Sequence, residues 1–157
     1  MGQRDNVRKD KRGTPSTSPA TARNPVTPGA GANVARYRDL LVWQKAFDLV
    51  TEVYKATAGF PAAEQYGLTA QMRRACVSVV ANIAEGAARQ HTREFVQHLH
   101  VALGSMAELE TYLLLSDRLR YFPQQASQPL MASAAEVGRM LRGLVKSLQR
   151  KGETSAQ

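Results

Sequence analysis

Two histidines and a glutamate lie close together near the middle of the chain, in the spacing H-x2-E-x3-H. They are His91, Glu94 and His98, and a helix brings side chains at this spacing toward one side. Two imidazoles and a carboxylate can bind a metal. An exposed Glu94/His98 pair on a helix accounts for the same residues without a metal. We favour the exposed pair. A di-iron centre is a separate interpretation, and it fails because Gln97 stands where the Glu-x-x-His motif of di-iron bundles needs histidine.

The sequence holds a single cysteine, Cys76, so one chain cannot form a disulfide or a cysteine-based zinc site by itself. Cys76 stands among apolar residues and is predicted to be a small buried hydrophobe rather than a nucleophile. The glycines lack the spacing of a phosphate-binding loop. We therefore expect a protein that is not an enzyme and that uses no cofactor and no metal.

Basic residues outnumber acidic ones, and most of the excess lies at the N-terminus. Residues 1–38 hold 8 Lys and Arg against 2 acidic residues, whereas residues 39–157 hold 13 against 11. Residues 1–35 carry four of the seven prolines, separated mostly by small and polar residues, and are predicted to be a disordered arm. A basic cluster in this arm could attract nucleic acid or belong to a solvated tail: Arg8, Lys9, Lys11 and Arg12.

A second basic group lies near the C-terminus at helical spacing. Its members follow one another at intervals of three, four and four on the outer face of a predicted helix: Arg139, Arg142, Lys146 and Arg150. These cations could follow the phosphates of a nucleic-acid backbone. They could equally form a solvated face whose last cations suit the negative end of the helix dipole.

Four amphipathic helices are predicted to position these groups. The first begins near Asp39, its predicted N-cap, and ends before Gly59 and Pro61. Its inward residues are predicted from spacings of three and four: Trp43, Phe47, Val50, Val53 or Tyr54, and Thr57. The second helix covers about 68–88, with a tight inward cluster: Leu68, Met72, Ala75, Cys76, Val79, Ile83 and Gly86.

The third helix is predicted from Thr92, its N-cap, to Leu119, and the fourth from about Ser127 to Lys151. The third should bury Phe95, Leu99, Ala102, Leu103, Met106 and Leu113. The fourth should bury Leu130, Ala134, Val137, Leu141, Leu144 and Leu148.

The apolar arc of the second helix is wider than the stripe of roughly 100° that one core requires. The residues that widen it on one side are Val77, Val80, Ala84 and Ala87. Either this helix is the most buried one of the bundle, or its extra edge meets another subunit.

Glu110 falls inside the apolar stripe of the third helix, where an unpaired carboxylate is costly. Antiparallel pairing about a turn near Gln90 puts Arg73 within one turn of Glu110. We predict a buried salt bridge between Glu110 and Arg73, with Arg74 as the second choice.

These helices and their short connections predict an all-α, antiparallel up-down-up-down four-helix bundle. The bundle domain should cover residues 36–152, after the arm and before a disordered tail at 153–157. No apolar run approaches the roughly 18–20 residues of a membrane span, and the N-terminus lacks the apolar region of a signal peptide. We therefore expect no membrane association and a cytoplasmic location.

The chain contains a series of short motifs: YRDLLVWQKA at 37–46, FP at 60–61, YGLT at 66–69, QMRRA at 71–75, NIAEG at 82–86 and LGSMAELET at 103–111. These motifs resemble those of the four-helix bundle proteins related to the rRNA intervening-sequence proteins, which open with F-x-D-L-x-V-W-Q-K-A. The resemblance covers about residues 36–150. The family commonly has proline where this chain has Val80, so the second helix should be straighter here.

This resemblance implies a bundle that assembles into a ring-like homopentamer, without enzymatic activity or a cofactor. Some members are encoded within inserts in rRNA genes. A more distant relative is the accessory protein of diversity-generating retroelements, which is basic and pentameric and works with a reverse transcriptase and nucleic acid. Within the NIAEG motif, Asn82 and Glu85 should bond to a neighbouring helix or subunit. Gly86 should permit close approach to the third helix or end the regular helix.

The sequence therefore favours a non-enzymatic oligomer that binds RNA or DNA through backbone phosphates, as an accessory factor. The C-terminal basic group is the predicted site, and the cluster in the arm should add non-specific attraction. The alternative is a structural adaptor that binds a protein partner through the apolar surface of the second helix.

Overall fold

The computed structural model describes residues 37–123 and 126–154, and most of these residues are helical. The helices are α1 (Leu41–Thr57), α2 (Leu68–Ala87), α3 (Thr92–Arg118) and α4 (Ser127–Thr154), with short 3-10 helices at Tyr37–Asp39 and Ala62–Glu64. No strand occurs in these two ranges, so the predicted all-α four-helix fold is confirmed. The predicted arm and residues 155–157 lie outside the described residues, while α4 continues two residues past the predicted domain end at 152.

Each helix packs against the next one along the chain, and α4 also packs against α1. Two hydrogen bonds between α2 and α3 join Asn82 to His98 and Ser78 to Ser105. The lower residue number on α2 is thus paired with the higher residue number on α3. Asp117 and Ser127 are hydrogen-bonded between the end of α3 and the start of α4. The α2/α3 pair is therefore antiparallel, while the up-down-up-down order of the whole bundle stays a prediction.

The inward face of α2 agrees with the sequence. All seven residues of its predicted cluster are buried, from Leu68 to Gly86. The residues predicted to widen its apolar arc are less covered: Val80, Ala84 and Ala87 are half-buried, and Val77 is 43% exposed. The helix is thus surrounded on most sides but keeps one apolar edge open.

The predictions for α1 were partly wrong. The N-cap residue is Leu40 rather than Asp39, because Asp39 belongs to the preceding 3-10 helix. Leu40 has no polar side chain and therefore makes no side-chain capping bond. The buried side is formed by a neighbouring stripe: Val42, Ala46, Leu49, Val53 and Thr57. Phe47 is 51% exposed, and its ring stacks on Trp43 with centroids 5.1 Å apart.

The long helices α3 and α4 bury most of the residues predicted for them. Leu99, Ala102, Met106 and Leu113 of α3 are buried, as are Leu130, Ala134, Val137 and Leu141 of α4. Phe95, Leu103, Leu144 and Leu148 are only half-buried. The sequence missed Leu109 and Val145, which are both buried. At the start of α3 the N-cap residue is His91, and Thr92 is the first helical residue.

Gly86 lies at a close approach between α2 and α3. A Cβ atom built on it would stand 2.6 Å from Cδ2 of Phe95 and 2.8 Å from Cβ of His98. The Phe95 ring can rotate, but a Cβ atom moves only with its backbone, so a side chain at position 86 would push the helices apart. The Gly86 residue therefore sets the spacing of the α2/α3 pair.

Replacing Gly86 by alanine should destabilise the protein although alanine favours a helix. We expect Gly86→Ala to lower the free energy of unfolding by about 1–2 kcal/mol, because overpacking outweighs the gain in helix propensity. Urea unfolding followed by circular dichroism measures this change.

Gly104→Ala is the matched control, because nothing lies within 4 Å of a Cβ atom on Gly104, in the middle of α3. This variant should gain up to about 1 kcal/mol. Equal stability changes in the two variants would contradict the close approach at Gly86.

Candidate nucleic-acid interface

The basic group predicted near the C-terminus forms one exposed ridge on α4. The ridge consists of Arg139, Arg142, Lys146 and Arg150, all exposed. At about 100° and 1.5 Å per residue, these residues lie within about 80° of one another around the helix axis and span about 16 Å along it. Within the ranges 37–123 and 126–154, no ion pair reaches Arg139, Arg142 or Lys146.

Glu110 lies close to the ridge. A Cβ atom on Gly138 would stand 3.5 Å from Nη1 of Arg142 and 3.6 Å from Oε1 of Glu110, so both charged groups flank this glycine at the α3/α4 boundary. Because Glu110 belongs to α3, this contact places Arg142 at the edge of α4 that faces α3. Glu136 lies three residues before Arg139 on α4 and is therefore its neighbour on the helix surface. The Glu136 carboxylate pairs with Lys45 of α1 at 3.3 Å and forms no ion pair with Arg139.

The predicted salt bridge between Glu110 and Arg73 is wrong. Arg73 donates from Nε to Oγ1 of Thr57 at 2.9 Å, and its guanidinium lies 4.7 Å from the ring centroid of Tyr54. The second choice fails too, since Arg74 donates to Gln71 on its own helix. Arg73 thus links α2 to α1, whereas Glu110 faces α4.

The NIAEG motif contributes to a polar network between α2 and α3. Oδ1 of Asn82 lies 3.2 Å from Nδ1 of His98, and Nδ2 of Asn82 donates to the carbonyl oxygen of Ser78 at 2.9 Å. Arg89 donates to Nε2 of His98 at 3.3 Å, which leaves the proton on Nδ1 when the ring is neutral. Glu85 lies 3.7 Å from the same Nδ1. Asn82 and Glu85 therefore contact a neighbouring helix in the same chain.

This network also accounts for His98, one of the three residues considered as metal ligands. His91 and Glu94 are both exposed, and the partners of His98 are the α2 residues just described. In the part of the chain that the structure describes, no cluster of three or more His, Cys, Asp or Glu side chains is arranged to hold a metal ion.

Cys76 is buried in the core. Burial raises the pKa of its thiol from the ordinary 9.0 to about 11. A thiol with such a pKa carries almost no thiolate at neutral pH and is a poor nucleophile.

The exposed apolar edge predicted for α2 continues onto α1, where the sequence had not predicted it. We call Phe47, Tyr54 and Val77 the aromatic face; their side chains are 51%, 44% and 43% exposed. Phe47 and Tyr54 are seven residues apart on one side of α1, and Arg73 of α2 packs on the Tyr54 ring one turn before Val77. The two aromatic residues at helical spacing on α1 were visible in the sequence, but Phe47 was predicted to face the core, with Tyr54 as an alternative to Val53.

The cluster of Arg8, Lys9, Lys11 and Arg12 lies outside the described residues. Among the helices of the two described ranges, none is both long and apolar enough to span a membrane.

Comparison with known proteins identifies a family that the chain matches and solved structures that resemble it. The model of the 23S rRNA-intervening sequence protein family matches residues 38–143. No curated protein matches the chain. A crystal structure from Bacteroides thetaiotaomicron VPI-5482, described as a protein with unknown function from the S23 ribosomal protein family, is 23% identical. It covers 68% of this chain and 99% of its own, with a TM-score of 0.61. At this identity the similarity shows the fold alone.

The environment of Cys76 predicts a slow reaction with thiol reagents. A pKa of about 11 in place of 9.0 lowers the thiolate fraction about 100-fold. The folded protein at pH 8 should therefore react with a disulfide reagent at least about 100-fold more slowly than the urea-unfolded chain. Absorbance of the released thiolate follows the rate.

The control for this experiment moves the thiol to an exposed position outside the aromatic face. A Cys76→Ala, Val101→Cys variant places it on α3, where Val101 is 55% exposed, and should react rapidly when folded. Equally fast reaction of Cys76 in the unsubstituted chain would show that its thiol is accessible after all.

Proposed function

The chain belongs to the 23S rRNA-intervening sequence protein family, and from this premise we propose that it is a non-enzymatic oligomer that binds RNA or DNA through backbone phosphates. The observation that carries this proposal is the exposed ridge on α4. The raised pKa of Cys76 supports the non-enzymatic part, because it makes the thiol a poor nucleophile.

The chemistry of the ridge suits phosphates better than base edges. Guanidinium and ammonium groups on one side of a straight helix meet a row of anionic oxygens without needing a particular base. Such contacts release counterions from the nucleic acid, so affinity falls steeply with salt while sequence preference stays weak. The proposed role is that of an accessory factor that holds nucleic acid for a partner to act on.

The aromatic face supports self-association. Rings such as Phe47 and Tyr54 gain free energy when a second surface removes them from water. We propose that this face forms the contact between subunits in a homopentamer, the assembly that the family resemblance implies. The buried Cys76 thiol, which needs no disulfide partner, suits the reducing conditions of the proposed cytoplasmic location.

A second candidate function uses the same face. A structural adaptor would bury Val77 and the half-buried edge of α2 against a different protein. The two candidates differ in what the purified chain does alone, since an adaptor without its partner would remain a monomer. They also differ in the ridge, which an adaptor does not need.

Removing the charge of the ridge should weaken binding and its dependence on salt. We expect the Arg139→Gln, Arg142→Gln, Lys146→Gln, Arg150→Gln variant to lose about 3–4 from the slope of log affinity against log salt, since each phosphate contact contributes about 0.9. Anisotropy of labelled RNA and DNA duplexes at several salt concentrations measures both quantities.

The matched control removes four exposed charges away from the ridge: Arg38→Gln, Lys55→Gln, Arg74→Gln and Arg120→Gln. Its salt slope should change less than that of the ridge variant. A chain starting at Arg36 separates the arm from the bundle and should retain the slope that the ridge contributes. Equal slopes in the ridge and control variants would place binding elsewhere.

Placing a charge on the aromatic face should dissociate the proposed oligomer. We expect Phe47→Glu, Val77→Glu to reduce the solution mass from that of an oligomer to that of a monomer, because a carboxylate buried in an apolar interface is costly. Sedimentation equilibrium over a range of concentrations measures the mass.

Leu114→Glu is the control for this experiment, since Leu114 is 61% exposed on α3 and lies outside the aromatic face. It should leave the mass unchanged. A monomeric unsubstituted chain would reject the homo-oligomer and favour the adaptor.

A further inference from the structure

A small notch lies between the start of α3 and the end of α4. Its volume is about 250 Å³, and its walls are formed by Thr92, Arg93, Val96, Leu148 and Gln149. Sites for drug-sized ligands usually occupy roughly 300–1,000 Å³. The notch is therefore suited to one small planar group rather than to a whole metabolite.

The notch adjoins one edge of the ridge. Gln149 lies three residues after Lys146 and seven after Arg142, within about 60° of both around the α4 axis. The half-buried Leu148 lies on the inner side of α4, about 160° from Lys146 and Arg150. A nucleic-acid backbone that follows the ridge therefore passes beside the notch. Each nucleotide of that backbone carries one base, which is the group that could enter the notch.

The lining surface is almost wholly apolar, and two of its exposed side chains, Arg93 and Gln149, end in polar groups. The half-buried Val96 and Leu148 supply apolar surface. Arg93 supplies a guanidinium plane on which a base can stack, and Gln149 supplies an amide that can donate to and accept from a base edge. Both polar residues are exposed, so their side chains can adjust to an incoming ring.

We infer that this notch binds one unstacked nucleobase, so that the preferred ligand is single-stranded nucleic acid rather than a duplex. A base paired inside a duplex cannot enter the notch without losing its partner, whereas a single-stranded base can turn outward. This inference rests on the nucleic-acid binding proposed above. The ridge holds the phosphates, and the notch adds a contact that only a free base can make.

The test uses three probes of equal length and the full chain: a single-stranded RNA, the corresponding duplex, and an abasic ribose-phosphate chain. The single-stranded RNA should bind about 5- to 140-fold more tightly than the abasic chain, the effect expected for one stacked base. It should also bind more tightly than the duplex at the same salt concentration.

Arg93→Lys keeps the positive charge but removes the guanidinium plane. It should lower affinity for single-stranded RNA about fivefold or more and leave affinity for the abasic chain unchanged. Arg118→Lys makes the same exchange at the other end of α3 and should change neither affinity.

The outcomes separate the two proposals. Equal affinity of the unsubstituted chain for RNA and the abasic chain would overturn the notch and leave the phosphate ridge intact. An equal loss in Arg93→Lys and Arg118→Lys would also overturn it. Failure to bind any of the three probes would overturn nucleic-acid binding itself, and the notch with it.

Discussion

The contact between α2 and α3 is the constraint on which the rest of the structure depends. Gly86 permits a close approach, and the bonds between Ser78 and Ser105 and between Asn82 and His98 fix the register at two successive levels. A shift of one residue along either helix would rotate these polar groups by about 100° and leave partly buried hydrogen-bonding atoms without these partners. The two helices therefore form a fixed pair, and α1 and α4 take their positions from it.

This arrangement separates two surfaces of different chemistry. Because Arg73 joins α2 to α1, the aromatic face belongs to the α1/α2 side of the bundle. Because Glu110 and Arg142 both flank Gly138, the Arg142 edge of the ridge faces α3, while the ridge as a whole lies on the exposed face of α4. In the proposed function, one surface forms the oligomer and the other binds phosphates, so neither activity would compete with the other for area.

The buried face of α2 could be predicted because its apolar residues cluster in one direction around the helix axis. The prediction failed on α1 because two stripes have helical spacing there, one of Val42, Ala46, Leu49 and Val53 and one containing Phe47. Periodicity cannot decide which stripe faces the core, and the bulkier one was chosen. The predicted pairing of Glu110 failed for a different reason. A guanidinium is also satisfied by a hydroxyl and a ring, as Thr57 and Tyr54 show, and a half-buried carboxylate can remain solvated at the α3/α4 boundary.

The extent of the family match bears on how the ridge should be understood. The match ends at residue 143, between Arg142 and Lys146, so it covers the positions of the first two cations of the ridge but not those of the last two or the α4 side of the notch. Yet α4 is one helix from Ser127 to Thr154, and the buried residues Leu141 and Val145 hold it against the core on both sides of that limit. A single anchored helix gives all four cations a fixed spacing along its axis, which a flexible tail with the same residues would not do. The ridge is therefore one surface in physical terms, even though the family match covers only half of its length.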